Sequence, residues 1–288
     1  MKSKKIISFL VLYLISNVFL QKKLTAQLTS EYVDKFSLSS CYTLGYKGEK
    51  YLWNATCFFV KVKSTIYLIT NNHVVGGEKF IEEYKKNHKD SIPPKESFPD
   101  NLIVRVYDKY LNKYNNIEIP LKGKSNEKWI NFYENDSFQN TILDVVAIRM
   151  HSYDYPKFSY CTILDSNNMN QDLNLIPGGE LFVVGYPLDS GQYILYPLWK
   201  RGTIASEANF YQFGKSWFWI DATTRQGMSG SPVFFRGTPY PSMRHNIIQS
   251  SEPFSFLVGI YSAQNYESEL GVVIRLEKIF AKLNEITN

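Results

Sequence analysis

Ten short runs rich in Val, Ile, Phe and Tyr recur along this chain, each bounded by Gly, Pro, Asn or Ser. They cover residues 55–62, 65–70, 102–107, 145–150, 181–185, 193–197, 217–221, 233–235, 256–261 and 271–274. β-Branched and aromatic side chains suit a pleated, packed surface, and closely spaced short strands with turn signals between them make a sandwich or barrel. The pattern predicts an all-β chain built as two antiparallel β-barrels packed together. A hydrophobic content of 44% over 288 residues is enough to fill both.

Helical signals are few. Residues 78–88 read as a surface helix. Apolar residues at 276, 279, 280 and 283 share one helical face, so Leu276–Ile286 is expected to form a short C-terminal helix. The polar stretch 84–100, with Pro93, Pro94 and Pro99, reads as a long loop. Residues 153–179 lack a clear strand and offer the best boundary between two units. The expected division is 27–165 for an N-terminal barrel and 166–288 for a C-terminal barrel with its helix.

The first 26 residues have a separate explanation. Residues 1–5 are basic, 6–20 form a 15-residue apolar core, and Ala26 precedes a possible cut at Gln27. That is the layout of a secretory signal peptide. An uncleaved N-terminal anchor is the alternative, because Leu24 and the pair Lys22 and Lys23 crowd the cut. The expectation is a secreted or periplasmic protein with no stable membrane span once the signal is removed. Five lysines and no acid lie in this segment, so they account for the whole net charge of +5 and the remainder is neutral. Nothing in the charge pattern calls for a nucleic-acid partner.

Three cysteines, Cys41, Cys57 and Cys161, leave at least one without an intramolecular disulfide partner. Cys41 and Cys57 could bridge if their strands are neighbours, whereas Cys57 and Cys161 read as buried small hydrophobes. None has metal-ligand spacing, and no metal or other cofactor is expected.

Three separated positions carry chemistry. His73 follows the apolar run 66–70. Asp144 opens the run 145–150. Ser229 lies in Gly227-Met228-Ser229-Gly230-Ser231-Pro232, a tight turn before a strand. A serine hydroxyl is a weak nucleophile unless an imidazole takes its proton and a carboxylate fixes the imidazole tautomer. The chain order His, Asp, Ser fits the order of chymotrypsin-type enzymes and no other triad order. Each residue alone has an ordinary structural reading, as turn serine, packed histidine or capping aspartate. Asp136, Asp154 and Asp165 compete with Asp144, and His88, His151 and His245 with His73, but all lie in less suitable settings. An α/β-hydrolase elbow is excluded, since Ser231 occupies its second glycine position and only His245 follows the serine.

These residues resemble the motif blocks of trypsin-like bacterial serine peptidases, the group of the HtrA-type proteases and the glutamyl endopeptidases. The segment 69–75 is similar to the histidine block, 144–148 to the aspartate block, 184–187 to the turn early in the second barrel, 221–232 to the serine block, and 257–262 to the strand that lines the specificity pocket. The resemblance implies His73 as general base, Asp144 as orienting carboxylate and Ser229 as nucleophile. It also implies an oxyanion hole from the amides of Gly227 and Ser229. Ser262 falls behind the aspartate. Thr223 and Thr224 fall at the pocket base, with Tyr261, Ser262, Ala263 and Gln264 on its wall. The pocket base carries no carboxylate, and Tyr261 stands where glutamyl enzymes have a histidine. A polar, restricted pocket for small or uncharged residues follows. The chain is therefore expected to be an exported serine endopeptidase acting on protein or peptide substrates. The alternative is a trypsin-fold binding or adhesion module without catalysis.

Overall fold

The computed structural model describes residues 33–76, 98–108, 113–121, 129–135, 140–152, 161–169, 173–209, 216–237, 254–264 and 268–287. The expected signal peptide, the helix expected at 78–88, and the competing residues His88, Asp136, Asp154 and His245 lie outside them.

The first unit is a seven-stranded antiparallel sheet. Its strands are β1 (Ser40–Lys47), β2 (Lys50–Val62), β3 (Thr65–Thr70), β4 (Asn101–Asp108), β5 (Lys113–Pro120), β6 (Trp129–Asn135) and β7 (Asn140–Arg149), ordered β5-β4-β1-β2-β3-β7-β6. A one-turn helix, α1 (Asn72–Val75), follows β3. The second unit is a closed barrel of β8 (Glu180–Gly185), β9 (Leu198–Ile204), β10 (Trp217–Asp221), β11 (Pro232–Gly237), β12 (Phe254–Gln264) and β13 (Leu270–Arg275). Its order is β10-β13-β12-β11-β8-β9. The chain ends in α2 (Leu276–Ile286).

The strands are apolar on both faces because both faces are covered. Successive strand residues point to opposite sides. In β2, Cys57 and Phe59 face one cluster while Phe58 and Val60 face another. In β3, Ile66 and Leu68 part from Tyr67 and Ile69 in the same way, as do Val146 and Ile148 from Val145 and Ala147 in β7. The first face fills the interior of the first unit. The second joins Val184, Phe234, Ile260 and Ile274 of the closed barrel in a shared cluster. A third cluster, with Val183, Phe218, Ile220, Met228, Val233, Tyr261 and Val273, fills the closed barrel itself. The seam between the units is thus a hydrophobic core. Leu276, Ile279, Phe280 and Leu283 of α2 are buried in it, as the spacing predicts. Removing a ring such as Phe58 or Phe234 would cost about 3–5 kcal/mol.

The structure corrects some boundaries. Residues 193–197 are not a strand: Tyr193 is 84% exposed, and the strand begins only after Pro197, which has no N–H to give a ladder. The runs at 40–47, 113–120 and 129–135 form strands the pattern did not single out.

Candidate active site

His73 rides on α1, a single turn that starts where β3 stops. Asn71 is extended at its N-cap. Gly76, in the left-handed region at φ 69°, ends it and donates to the Asn72 carbonyl. Val74 and Val75 are buried, which fixes the turn against the sheet. The asparagines on either side of the turn's start hold β7. Asn71 Nδ2 donates to the Asp144 carbonyl at 2.7 Å, and Asn72 Nδ2 donates to the carbonyls of Leu143 at 2.8 Å and Val145 at 2.9 Å.

Asp144 is placed by three further bonds. Its Oδ1 accepts the backbone N–H of His73 at 3.0 Å. Its Oδ2 stands 2.7 Å from His73 Nδ1 and accepts the Ser262 hydroxyl at 2.5 Å. With a carboxylate on Nδ1, that nitrogen carries the proton and Nε2 is left as an acceptor. The acid is mostly covered, at 17% side-chain exposure, and the imidazole is open at 39%. Burial is the largest influence on the imidazole and lowers its pKa. The Asp144 charge and hydrogen bond together outweigh it, so the His73 pKa lies above the ordinary 6.5.

The serine turn is held mostly by main chain. Thr56 N–H donates to the Ser229 carbonyl at 2.9 Å, and Thr56 Oγ1 to the Gly227 carbonyl at 2.8 Å, so β2 crosses the seam to grip it. Gly230 N–H donates to the Tyr261 carbonyl and Tyr261 N–H to the Ser231 carbonyl, each at 2.9 Å. Gly227 at φ 91° and Gly230 at φ 84° have conformations that L side chains rarely adopt. Space forbids a side chain at Gly230 as well, for its Cβ would lie 2.0 Å from the Thr56 carbonyl oxygen. Among the described residues, neither the N–H of Gly227 nor that of Ser229 donates to a protein acceptor. Ser229, half-buried, has no hydrogen bond from its hydroxyl to His73.

Of the residues expected to form the pocket, Thr224 and Tyr261 meet: the Thr224 hydroxyl and the Tyr261 phenol are hydrogen-bonded and both residues are buried. The Tyr261 ring lies against Gly271, where a Cβ would come 2.7 Å from Cε2. Ser262 instead faces Asp144. Thr223 and Ala263 are exposed, and Gln264 pairs with Gly271 across β12 and β13. Arg225 turns back, donating from Nη1 to the Thr224 carbonyl at 2.9 Å. A separate hollow of about 540 Å³ lies beside the turn, lined by Pro187, Leu188, Tyr193, Leu198, Lys200 and Arg225 among others.

The sequence did not reveal what Asn71, Asn72 and Thr56 do. Each bonds to carbonyls far along the chain, and no local pattern announces that. Two successive asparagines at a strand end beside a histidine were the only signal. No group of three or more His, Cys, Asp or Glu among the described residues has the arrangement to hold a metal ion.

Residues 55–237, well over half of the chain, match the family model described as the trypsin-like peptidase domain. The chain belongs to the trypsin-like peptidase family. It is thereby a serine-type peptidase, a hydrolase. Among curated proteins none matches it in sequence. Solved structures similar to it include the Rv3671c protease of M. tuberculosis in its active form, at 14% identity and TM-score 0.45, covering 88% of this chain and 82% of that one. The serine endoprotease from Yersinia pestis is similar at 13% identity and TM-score 0.46, over 88% of this chain and 65% of that one. The tobacco etch virus protease matches at 12% identity and TM-score 0.47, over 87% and 79%. At such scores these likenesses add nothing to the topology described above.

Proposed function

We propose that this peptidase is an exported endopeptidase whose nucleophile is Ser229, with His73 as general base and Asp144 as the carboxylate that orients it. The observation that carries this reading is the double grip of Asp144 on the backbone N–H and the Nδ1 of His73. It leaves Nε2 as the proton acceptor. Asp144 keeps its negative charge throughout and stabilises the imidazolium that forms.

Ser229 Oγ attacks the scissile carbonyl as its proton passes to His73 Nε2. The uncommitted N–H groups of Gly227 and Ser229 are the donors for the developing oxyanion. Collapse expels the amine, which takes the proton from His73, and leaves an acyl group on Ser229 Oγ. Water, deprotonated by the same imidazole, releases it. The missing Ser229–His73 hydrogen bond is no obstacle, since such pairs are often long before substrate binds.

The Thr224–Tyr261 floor is uncharged, so a small or uncharged residue before the scissile bond is the preferred fit. Export rests on residues 1–26, whose basic start, apolar core and small residue before the cut are those of a signal peptide. No helix among the described residues is long and apolar enough to cross a membrane.

The test is hydrolysis of a mixed peptide library by the purified chain and by its Ser229→Ala variant. Cleavage after small or uncharged residues, lost in the variant while its circular dichroism is unchanged, is the expected result. Full hydrolysis by the variant would refute the nucleophile. Strong selection for Arg or Lys would refute the pocket.

A further inference from the structure

The three cysteines come together in the first unit. Cys41 on β1 and Cys57 on β2 are directly opposite in the antiparallel register. Directly opposed residues have Cα atoms about 4.5–5.5 Å apart and side chains on one face. Cys161 belongs to neither strand. The chain returns past β1 there, with Thr162 N–H donating to the Leu38 carbonyl at 3.0 Å. Leu164 then bridges Val60 on β2 in parallel. All three side chains share one hydrophobic cluster. The Cys41 thiol interacts with both of the others, and no disulfide joins any of them in this structure.

The three differ in access. Cys41 is 1% exposed and Cys57 0%. Cys161 is half-buried. The hydrogen bond to Cys161 comes first among the influences that push the Cys41 thiol well above its ordinary pKa, ahead of that to Cys57 and of burial. A thiolate is the attacking species in disulfide exchange, so Cys41 cannot be the first to react.

We propose that Cys161 and Cys41 form a thiol–disulfide exchange site, in which a small external disulfide reacts at Cys161 and the product is a Cys41–Cys161 bridge. The Cys161 thiolate attacks one sulfur of the external disulfide. A mixed disulfide forms and one external thiolate leaves. The Cys41 thiolate attacks Cys161 Sγ, the internal disulfide forms and the second external thiolate leaves. The two protons shed by the protein thiols end on the two external ones. The protein pair is oxidised by two electrons and the external disulfide is reduced by two. Cys57 keeps its thiol, because Cys41 is the buried thiol hydrogen-bonded to Cys161 and so the one placed to attack it.

The consequence is mechanical. Residues 161–169 lead from the first unit towards the second, and β1 already reaches the second barrel through Ser40 Oγ, which donates to the Val184 carbonyl. A bridge between Cys161 and β1 would fasten that crossing. It would also close a loop of more than a hundred residues, a length at which cross-links restrict the unfolded chain strongly. This inference is independent of the catalytic assignment.

The experiment is oxidation of the reduced full-length chain with oxidised glutathione. Aliquots are quenched with an alkylating agent and mapped by peptide mass spectrometry. The expected sequence is glutathione on Cys161 first, then a peptide pair linked through Cys41 and Cys161, with Cys57 alkylated. The linked form should melt roughly 5–15 °C higher than the reduced form. In Cys57→Ala the same bridge should appear. In Cys161→Ser, Cys41 should stay reduced. A Cys41–Cys57 bridge in the native chain, a glutathione adduct on Cys161 that never resolves, or an unchanged Tm would overturn the proposal.

Discussion

In the seven-stranded sheet the candidate groups are held mostly by side chains. Asp144 is gripped by His73, by Asn71 and, from the closed barrel, by Ser262, and its neighbours Leu143 and Val145 by Asn72. In the closed barrel they are held mostly by main chain. The Ser229 carbonyl is held by the Thr56 amide and the Gly227 carbonyl by the Thr56 hydroxyl, Gly230 and Ser231 bond to the carbonyl and amide of Tyr261, and two glycines at positive φ allow the turn. The difference follows from what each group must do. An acid and a base need a tuned proton affinity, which partner side chains supply. A nucleophile and its oxyanion donors need position and unspent N–H groups, and a side chain in that turn would fill the space. The sheet half should therefore fail by losing proton transfer, and the barrel half by losing geometry.

The largest effect should come from the sheet half. Asp144→Asn keeps the shape but favours the wrong imidazole tautomer, so kcat should fall by about 10⁴ with Tm little changed. Steady-state kinetics beside thermal melting check this; a large loss of Tm with modest loss of kcat would invert the comparison. In the barrel half, Gly230→Ala forces a strained φ and a clash with the Thr56 carbonyl. It should cost about 3 kcal/mol or more, read by denaturant unfolding. Asn72→Ala strips a donor from two carbonyls and should destabilise by about 1–3 kcal/mol, with kcat falling because Asp144 shifts. Ser262→Ala removes one of the bonds to Asp144 and should lower kcat by roughly tenfold, about 1.4 kcal/mol, leaving KM nearly unchanged.

The smallest effect is a shift along the pH axis. The base works only when neutral, and its pKa is raised, so the acid limb of kcat/KM should lie above pH 6.5. A raised folded pKa also means that protonated His73 favours folding. That contribution is complete below pH 6.5 and disappears as pH climbs through the raised value. With the ring partly open to solvent, screening should keep it slight. Asp144→Asn removes the charge that raises the pKa, so both the limb and the slope of Tm should move to lower pH.

Much of this architecture was legible because buried strands are written as unbroken apolar runs. β2, β3, β7 and β12 stand out in that way. β5 does not: among its described side chains, 114–120, only Ile117 and Ile119 are buried, and the strand exists because it pairs with β4 along its whole length. β6 likewise carries Asn131 and a buried Glu134, whose carboxylate accepts the Ser216 N–H from the other unit. Pairing and partners distant in sequence decided those segments, and no local window contains them. Residue type and order single out His73, Asp144 and Ser229, the residues proposed above as catalytic. The Thr224–Tyr261 contact was foreseen only as shared membership of a pocket. The grip of Thr56 on Ser229 was invisible, because a threonine in an apolar strand looks like any other.

The central claim is that Ser229 is made nucleophilic by His73 across the seam between the two units. Labelling with a fluorophosphonate probe, followed by peptide mapping, tests it most directly. The account predicts a single adduct on the hydroxyl of Ser229 in the native chain and none in a folded His73→Ala variant. An adduct on another residue, or equal labelling of Ser229 without the imidazole, would contradict it.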